Sequence, residues 1–204
     1  MNNEHSFRIV AIVLFLLIAA TGLYHRIRAE RSGEKISRKE EGLFIMIALR
    51  FFGFSAWLGL MTYMIQPKWM YWSTFSIALR VRWLGTGLAI LAIPLFHWML
   101  RSLGNNITDT VVTRKESTLV THGPYHWVRH PMYSITCLLF LGFTLHTANW
   151  FIGLTGIGTL VLLIIRTSTE EAKLIERFGE DYRDYMKETG RFLPRLFNRE
   201  HKRR

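Results

Sequence analysis

Long apolar blocks separated by short charged stretches run through most of the chain. They are FRIVAIVLFLLIAATGLY (7–24), GLFIMIALRFFGFSAWLGLMTYMI (42–65), LGTGLAILAIPLFHWMLRSL (84–103), MYSITCLLFLGFTLHTA (132–148) and NWFIGLTGIGTLVLLII (149–165). A helix needs about 20 such residues to cross a hydrocarbon core, so the pattern predicts about five transmembrane helices. The last two blocks are at the short end and abut with almost no loop, which predicts a tight helical hairpin. WMYWSTFSIALRVRW (69–83) is aromatic and more polar, and reads as an interfacial helix or as an extension of the third span. RTSTEEAKLIERFGEDYRDYMKETGRFLP (166–194) carries the fifth helix out of the membrane. Phe178-Gly179 reads as its end and a turn, and the Tyr182/Tyr185 pair as part of a second amphipathic helix closing over a site. The fold class expected is an all-α integral membrane protein with a cytosolic C-terminal helical cap. Residues 1–104 hold three spans, and 105–204 hold a loop, the two-span hairpin and the C-terminal helices.

Composition alone would mislead. With 26 Lys+Arg against 15 Asp+Glu, a soluble protein of this size would suggest nucleic acid. Here the charges fall between apolar blocks, so they belong to basic loops, and no nucleic-acid partner is expected. The first block has no basic segment before it and arginines after it, which argues for a retained span over a cleaved signal. Six Lys/Arg lie in 25–41, four in 101–131 and eleven in 166–204, whereas the opposite loops hold one, three and none. The positive-inside rule then places the N-terminus outside and the C-terminus in the cytoplasm. Cys137 is the single cysteine, so no intrachain disulfide can form, and its place in an apolar run predicts a small buried side chain.

Arg50 interrupts the second span, and Pro94 and His97 lie in the third. An ionisable group at membrane depth usually faces the bundle or water, although Arg50 is near enough to a basic loop to snorkel. Pro94 predicts a kink. Gly153, Gly156 and Gly158 have the spacing G-x-x-G-x-G inside an apolar helix and fit close helix packing better than nucleotide binding. No G-x-G-x-x-G follows a predicted strand, so a soluble dinucleotide domain is not supported.

The densest chemistry lies in KESTLVTHGPYHWVRHPMY (115–133). It reads as a polar turn, a short β-prone run from Thr118 to Thr121, the turn signal Gly123-Pro124, and Pro131 in the first turn of the fourth span. That helix start can bind an anion, and Tyr125, Trp127 and Tyr133 also suit an interfacial belt. Arg166 and Glu170, four apart, share one helix face. They form either a surface ion pair or a cation and carboxylate facing the loop.

TLVTHGPYHWVRHPMY, followed by the short-looped hairpin and EEAKLIERFGEDYRDYMKETGRFLP, resembles the isoprenylcysteine carboxyl methyltransferase family over about residues 105–195. Phospholipid N-methyltransferases share the Arg-His-Pro and paired-glutamate features. The resemblance implies S-adenosylmethionine as methyl donor and a lipophilic or lipidated acceptor at the cytosolic membrane face. It implies cofactor contacts at Ser117, Thr118, Leu119, Val120, Tyr125, His130, Pro131, Met132, Tyr133 and Glu170, and substrate-carboxylate binding at Arg166. No metal is implied. Thr110 stands where eukaryotic members carry a glutamine, and Ser117 where they carry a histidine. The alternatives are an NADPH-dependent reductase of the sterol-reductase type, whose members share the Arg-His-Pro-x-Tyr turn, a phospholipid N-methyltransferase, and a non-enzymatic membrane scaffold whose basic tail, ending in NREHKRR, holds anionic lipid or a partner.

Overall fold

Away from water, an apolar segment can satisfy its own backbone only as a helix, and the long apolar blocks comply. The computed structural model describes residues 2–30, 43–104 and 118–195. Its helices are α1 (Asn2–Glu30), α2 (Leu43–Ile65), α3 (Leu79–Leu103), α4 (Pro131–Thr147), α5 (Trp150–Phe178) and α6 (Glu180–Glu188). Among the described residues four helices, α1, α2, α3 and α5, are long and apolar enough to cross a membrane. The fourth apolar block forms α4, whose 17 residues span about 26 Å at the usual helical rise. Leu16, Phe51, Leu84 and Ile157 lie exposed on the outer faces of the four long helices, as lipid-facing residues do.

The helices meet through small residues. α3 packs on α1 and α4, and α5 packs on α2 and α4. At the α3–α4 crossing a methyl group on Gly85 would lie 2.7 Å from the Gly142 carbonyl oxygen, and one on Gly142 would lie 2.9 Å from Ala89 N. Two backbones touch there. Gly153 and Gly156 of α5 receive Thr144 and the Phe140 ring of α4, and Gly158 receives Phe52 of α2. The glycine spacing is thus a packing device, as expected.

The α4–α5 hairpin turns on Ala148 (φ 50°), with Asn149 capping α5 by accepting from Phe151 N (3.1 Å) and Ile152 N (3.2 Å). The aromatic stretch before α3 covers this tip. It is neither of the two expected forms in full: Pro67–Ser73 is a 3-10 turn, 74–78 is not helical, and only 79–83 lengthens α3. Asn149 Nδ2 donates to Ser73 Oγ (2.8 Å), and Phe75 N to the Ala148 carbonyl (3.0 Å). Beside the tip, Arg82 donates to Glu4 (2.7 Å), to the Tyr63 hydroxyl (3.1 Å) and to the His146 carbonyl (2.9 Å). Four helices are tied there. Trp69, Tyr71, Trp72 and Trp150 are exposed around this end, and Trp98 and Trp127 around the other, the distribution of two interfacial belts.

Two expectations change. Cys137 is exposed on α4 instead of buried, since in lipid an apolar thiol can face outward at no cost. Thr118–Thr121 form no strand, because among the described residues no partner strand lies alongside; the described β-bridges are Val128–Gly190 and Thr74–Asn149. Of the two readings left open for Arg50, its exposure on α2 fits snorkelling and not a bundle-facing group.

Candidate active site

The loop before α4 and the polar end of α5 come together at the end of the bundle opposite the hairpin tip. Gly123 (φ 64°) starts the turn, and a side chain there would collide with Ser102 at the end of α3. Gly123–His126 form a 3-10 turn, and His130 and Pro131 then open α4 in the first-turn arrangement that proline favours. The chain beyond α6 zips onto this loop: Arg129 N donates to Gly190 O (2.8 Å), His130 N to Arg191 O (3.0 Å) and Gly190 N to Trp127 O (3.2 Å). α6 adds a further tie, the Tyr185 hydroxyl donating to the Tyr125 carbonyl (2.5 Å). Tyr182 and Tyr185 are the buried face of α6, as their spacing predicted.

Glu170 is the meeting point. The Tyr133 hydroxyl donates to its Oε2 (2.5 Å), and Arg166 Nε lies 3.0 Å from its Oε1 one helical turn away. His130 stacks on Tyr133 (ring centroids 5.3 Å, 9° between planes), with its Nδ1 3.6 Å from Glu170 Oε2. The Phe192 ring closes the group, 5.9 Å from His130 and 6.0 Å from Tyr133. Burial pushes the Tyr125 hydroxyl above its ordinary pKa, and the charge of Glu170 is near enough to push it further. Burial likewise raises Tyr185 to about 12.

The neighbouring Glu171, one of the paired glutamates but not among the expected site residues, is the most heavily engaged carboxylate among the described residues. It is buried and accepts from Arg129 Nε (2.9 Å) and Arg191 Nε (3.1 Å), with His130 Nε2 3.2 Å away. Arg129 also donates to the carbonyls of Met186 (3.1 Å) and Thr189 (2.5 Å). Glu171 therefore joins the loop, α5 and the segment after α6, while Glu170 presents its carboxylate to tyrosine, histidine and arginine. The sequence signal was present: adjacent glutamates point to different sides of a helix, so they meet different partners.

Of the residues implied by resemblance, Tyr125, His130, Pro131, Tyr133, Arg166 and Glu170 gather at this end. Met132 is exposed on the first turn of α4. Thr118 is exposed, and Leu119 and Val120 are half-buried in the approach to the turn. Ser117 and Thr110 lie outside the described residues.

A structure of the eukaryotic intramembrane Ras methyltransferase, isoprenylcysteine carboxyl methyltransferase, aligns over 91% of this chain and 67% of its own with a TM-score of 0.51, at 20% sequence identity. The family model for phospholipid methyltransferase matches residues 81–181. The chain is 30% identical to methanethiol S-methyltransferase of Pseudomonas deceptionensis, over 94% of this chain and 75% of that protein. It is 33% identical to protein-S-isoprenylcysteine O-methyltransferase of Rattus norvegicus over 56% of its length, spanning 43% of that relative. The chain belongs to the family of that methanethiol S-methyltransferase and is an integral membrane methyltransferase; the phospholipid and isoprenylcysteine enzymes match it in part.

Proposed function

We propose that the chain transfers the methyl group of S-adenosylmethionine to a lipophilic acceptor, a carboxylate of isoprenylcysteine type, at the cytosolic face of the bacterial inner membrane. In this reading the chain crosses five times, α4 included, with the N-terminus outside and α6 as a cytosolic cap. Residues 1–104 form the scaffold and 105–204 carry the site. The observation that carries the proposal is the convergence of Tyr133, His130 and Arg166 on Glu170, with Tyr125 beside it.

The residues present fit such a donor. Glu170 offers a carboxylate to hydroxyl or ammonium groups, and Tyr133, His130 and Phe192 offer stacked aromatic faces that suit a nucleoside and a cation. The donor's sulfonium supplies an already activated methyl group, so the protein's task is alignment rather than strong acid or base catalysis. Arg166 would orient the acceptor. Its pairing with Glu170 tempers its hold on an anion, which avoids overstabilising the ground state. A carboxylate acceptor is ionised at neutral pH and needs no base. Ser117, Thr118, Leu119 and Val120 would line the approach, and Pro131 and Met132 the helix start.

Full-chain binding of S-adenosylmethionine, measured by calorimetry in detergent, tests the proposal. Glu170→Ala should weaken it by about tenfold or more, the worth of a charge-assisted hydrogen bond. Unchanged binding in that variant would remove the assignment. Labelled-methyl transfer to a native lipid extract, with the product identified by mass, then names the acceptor.

A small thiol is the second reading, favoured by the match to the methanethiol enzyme over nearly the whole chain. The pH profile separates the two. A carboxylate acceptor gives a rate flat above about pH 5, whereas a small alkanethiol, less acidic than a cysteine side chain, gives a rate that keeps rising through the alkaline range.

A further inference from the structure

Tyr182 is 2% exposed, and its hydroxyl meets no hydrogen-bond partner among the described residues. Buried hydroxyls are nearly always partnered, because a bare one forfeits its hydration. The acceptors around it are taken. Glu171 Oε1 receives Arg129 Nε (2.9 Å) and faces His130 Nε2 (3.2 Å), while Oε2 receives both Nε and Nη2 of Arg191. The Tyr185 ring lies 5.8 Å from that of Tyr182, and its hydroxyl is committed to the Tyr125 carbonyl. Tyr182 is thus buried beside this aromatic and ionic group with its donor unspent.

The charge balance indicates what it would meet. Arg129, Arg166 and Arg191 face Glu170 and Glu171, which leaves one positive charge in excess before His130 is counted. Burial raises the Tyr182 hydroxyl above the ordinary phenol range, so it keeps its proton and can donate; both glutamates lie near enough to add to that rise.

We infer that the Tyr182 hydroxyl is a binding group that donates to a carboxylate oxygen of a ligand seated at the Glu170 cluster. The inference rests on the methyl-transfer reading. Two reactants in it carry a carboxylate: the amino-acid tail of the methyl donor, and an acid acceptor.

Tyr182→Phe removes one oxygen and keeps the ring packed. The full chain in detergent is titrated with S-adenosylhomocysteine and with methylthioadenosine, which lacks the carboxylate, and its kinetics are measured with farnesylated N-acetylcysteine. If the donor's tail is the partner, the Kd for S-adenosylhomocysteine rises about tenfold, as for one lost buried hydrogen bond, and that for methylthioadenosine stays put. If the acceptor is the partner, both nucleosides bind normally and the KM for the farnesylated acid rises by a similar factor with kcat retained. In both cases the ligand-free protein melts at or above the wild-type temperature. Unchanged affinity for all three compounds, equal losses for both nucleosides, or a lowered ligand-free melting temperature overturns the assignment. Wild-type protein that binds no S-adenosylhomocysteine refutes the methyl-transfer reading instead.

Discussion

Glu171→Ala should destabilise the site end of the molecule, and it also removes the carboxylate that lies 3.2 Å from His130 Nε2. The Arg129 side chain is 8% exposed and that of Arg191 40%, so removing the shared carboxylate strands one cation and returns the other to water. Breaking a buried ion pair from one side costs about 3–5 kcal/mol. The carbonyls of Met186 and Thr189 still accept from Arg129, which favours the lower bound. At about 2–4 °C per kcal/mol for a chain of this size, ~3 kcal/mol corresponds to a fall in melting temperature of about 6–12 °C. Glu171→Gln keeps the shape and trades charge-assisted bonds for neutral ones, so it should lose about half as much. The paired change Arg129→Met with Glu171→Leu should recover stability, because an apolar pair avoids the desolvation of both ions. The assay is thermal melting in detergent, followed in parallel by proteolysis of the segment after α6. Glu171→Ala melting within about 2 °C of wild type, less than one kcal/mol by the same scale, would refute the reasoning. So would a double variant less stable than the single one.

Arg166→Ala should lower turnover of an anionic acceptor more than it lowers donor binding; equal rates for wild type and variant in a single-turnover assay would remove its assigned role. Gly85→Leu should prevent the α3–α4 backbone contact and reduce the yield of folded protein by several-fold, whereas Gly87→Leu, whose Cβ would meet no atom within 4 Å, should be tolerated. Tyr125, Tyr182 and Tyr185 all have raised pKa values, so the folded state holds their protons where the unfolded chain would release them. Their contribution to stability is complete below about pH 10 and declines as pH rises toward 12. Tyrosinate absorbance near pH 10 that is smaller in Tyr182→Phe or Tyr185→Phe than in wild type, with helicity intact, would contradict this.

The membrane helices were legible because long apolar runs admit few structures, and the tight α4–α5 turn followed from the absence of residues to build a loop. Arg166 with Glu170 was visible from helical spacing. The partners of Glu171 were not, since Arg129 is 42 residues before it and Arg191 20 after, and no periodicity links them. The same holds for Glu4, whose link to Arg82 crosses 78 residues. Thr118–Thr121 misled because β-branched residues signal a strand only where another strand can pair with them. Cys137 misled because burial statistics from water-soluble proteins do not carry over to a lipid-facing helix.

The hairpin tip has a consequence for bilayer thickness. Ala148, Asn149 and His146 find their hydrogen-bond partners in Phe75, Ser73, Arg82, Thr86 and the Phe7 carbonyl, so this corner can rest in oil without water. Its depth is then free to vary. In a thicker lipid slab the Trp69–Trp72 collar would sink or the lipids would thin around it, and the adjustment would be taken at that rim. The spacing between Tyr133 and Glu170 would be left as it is.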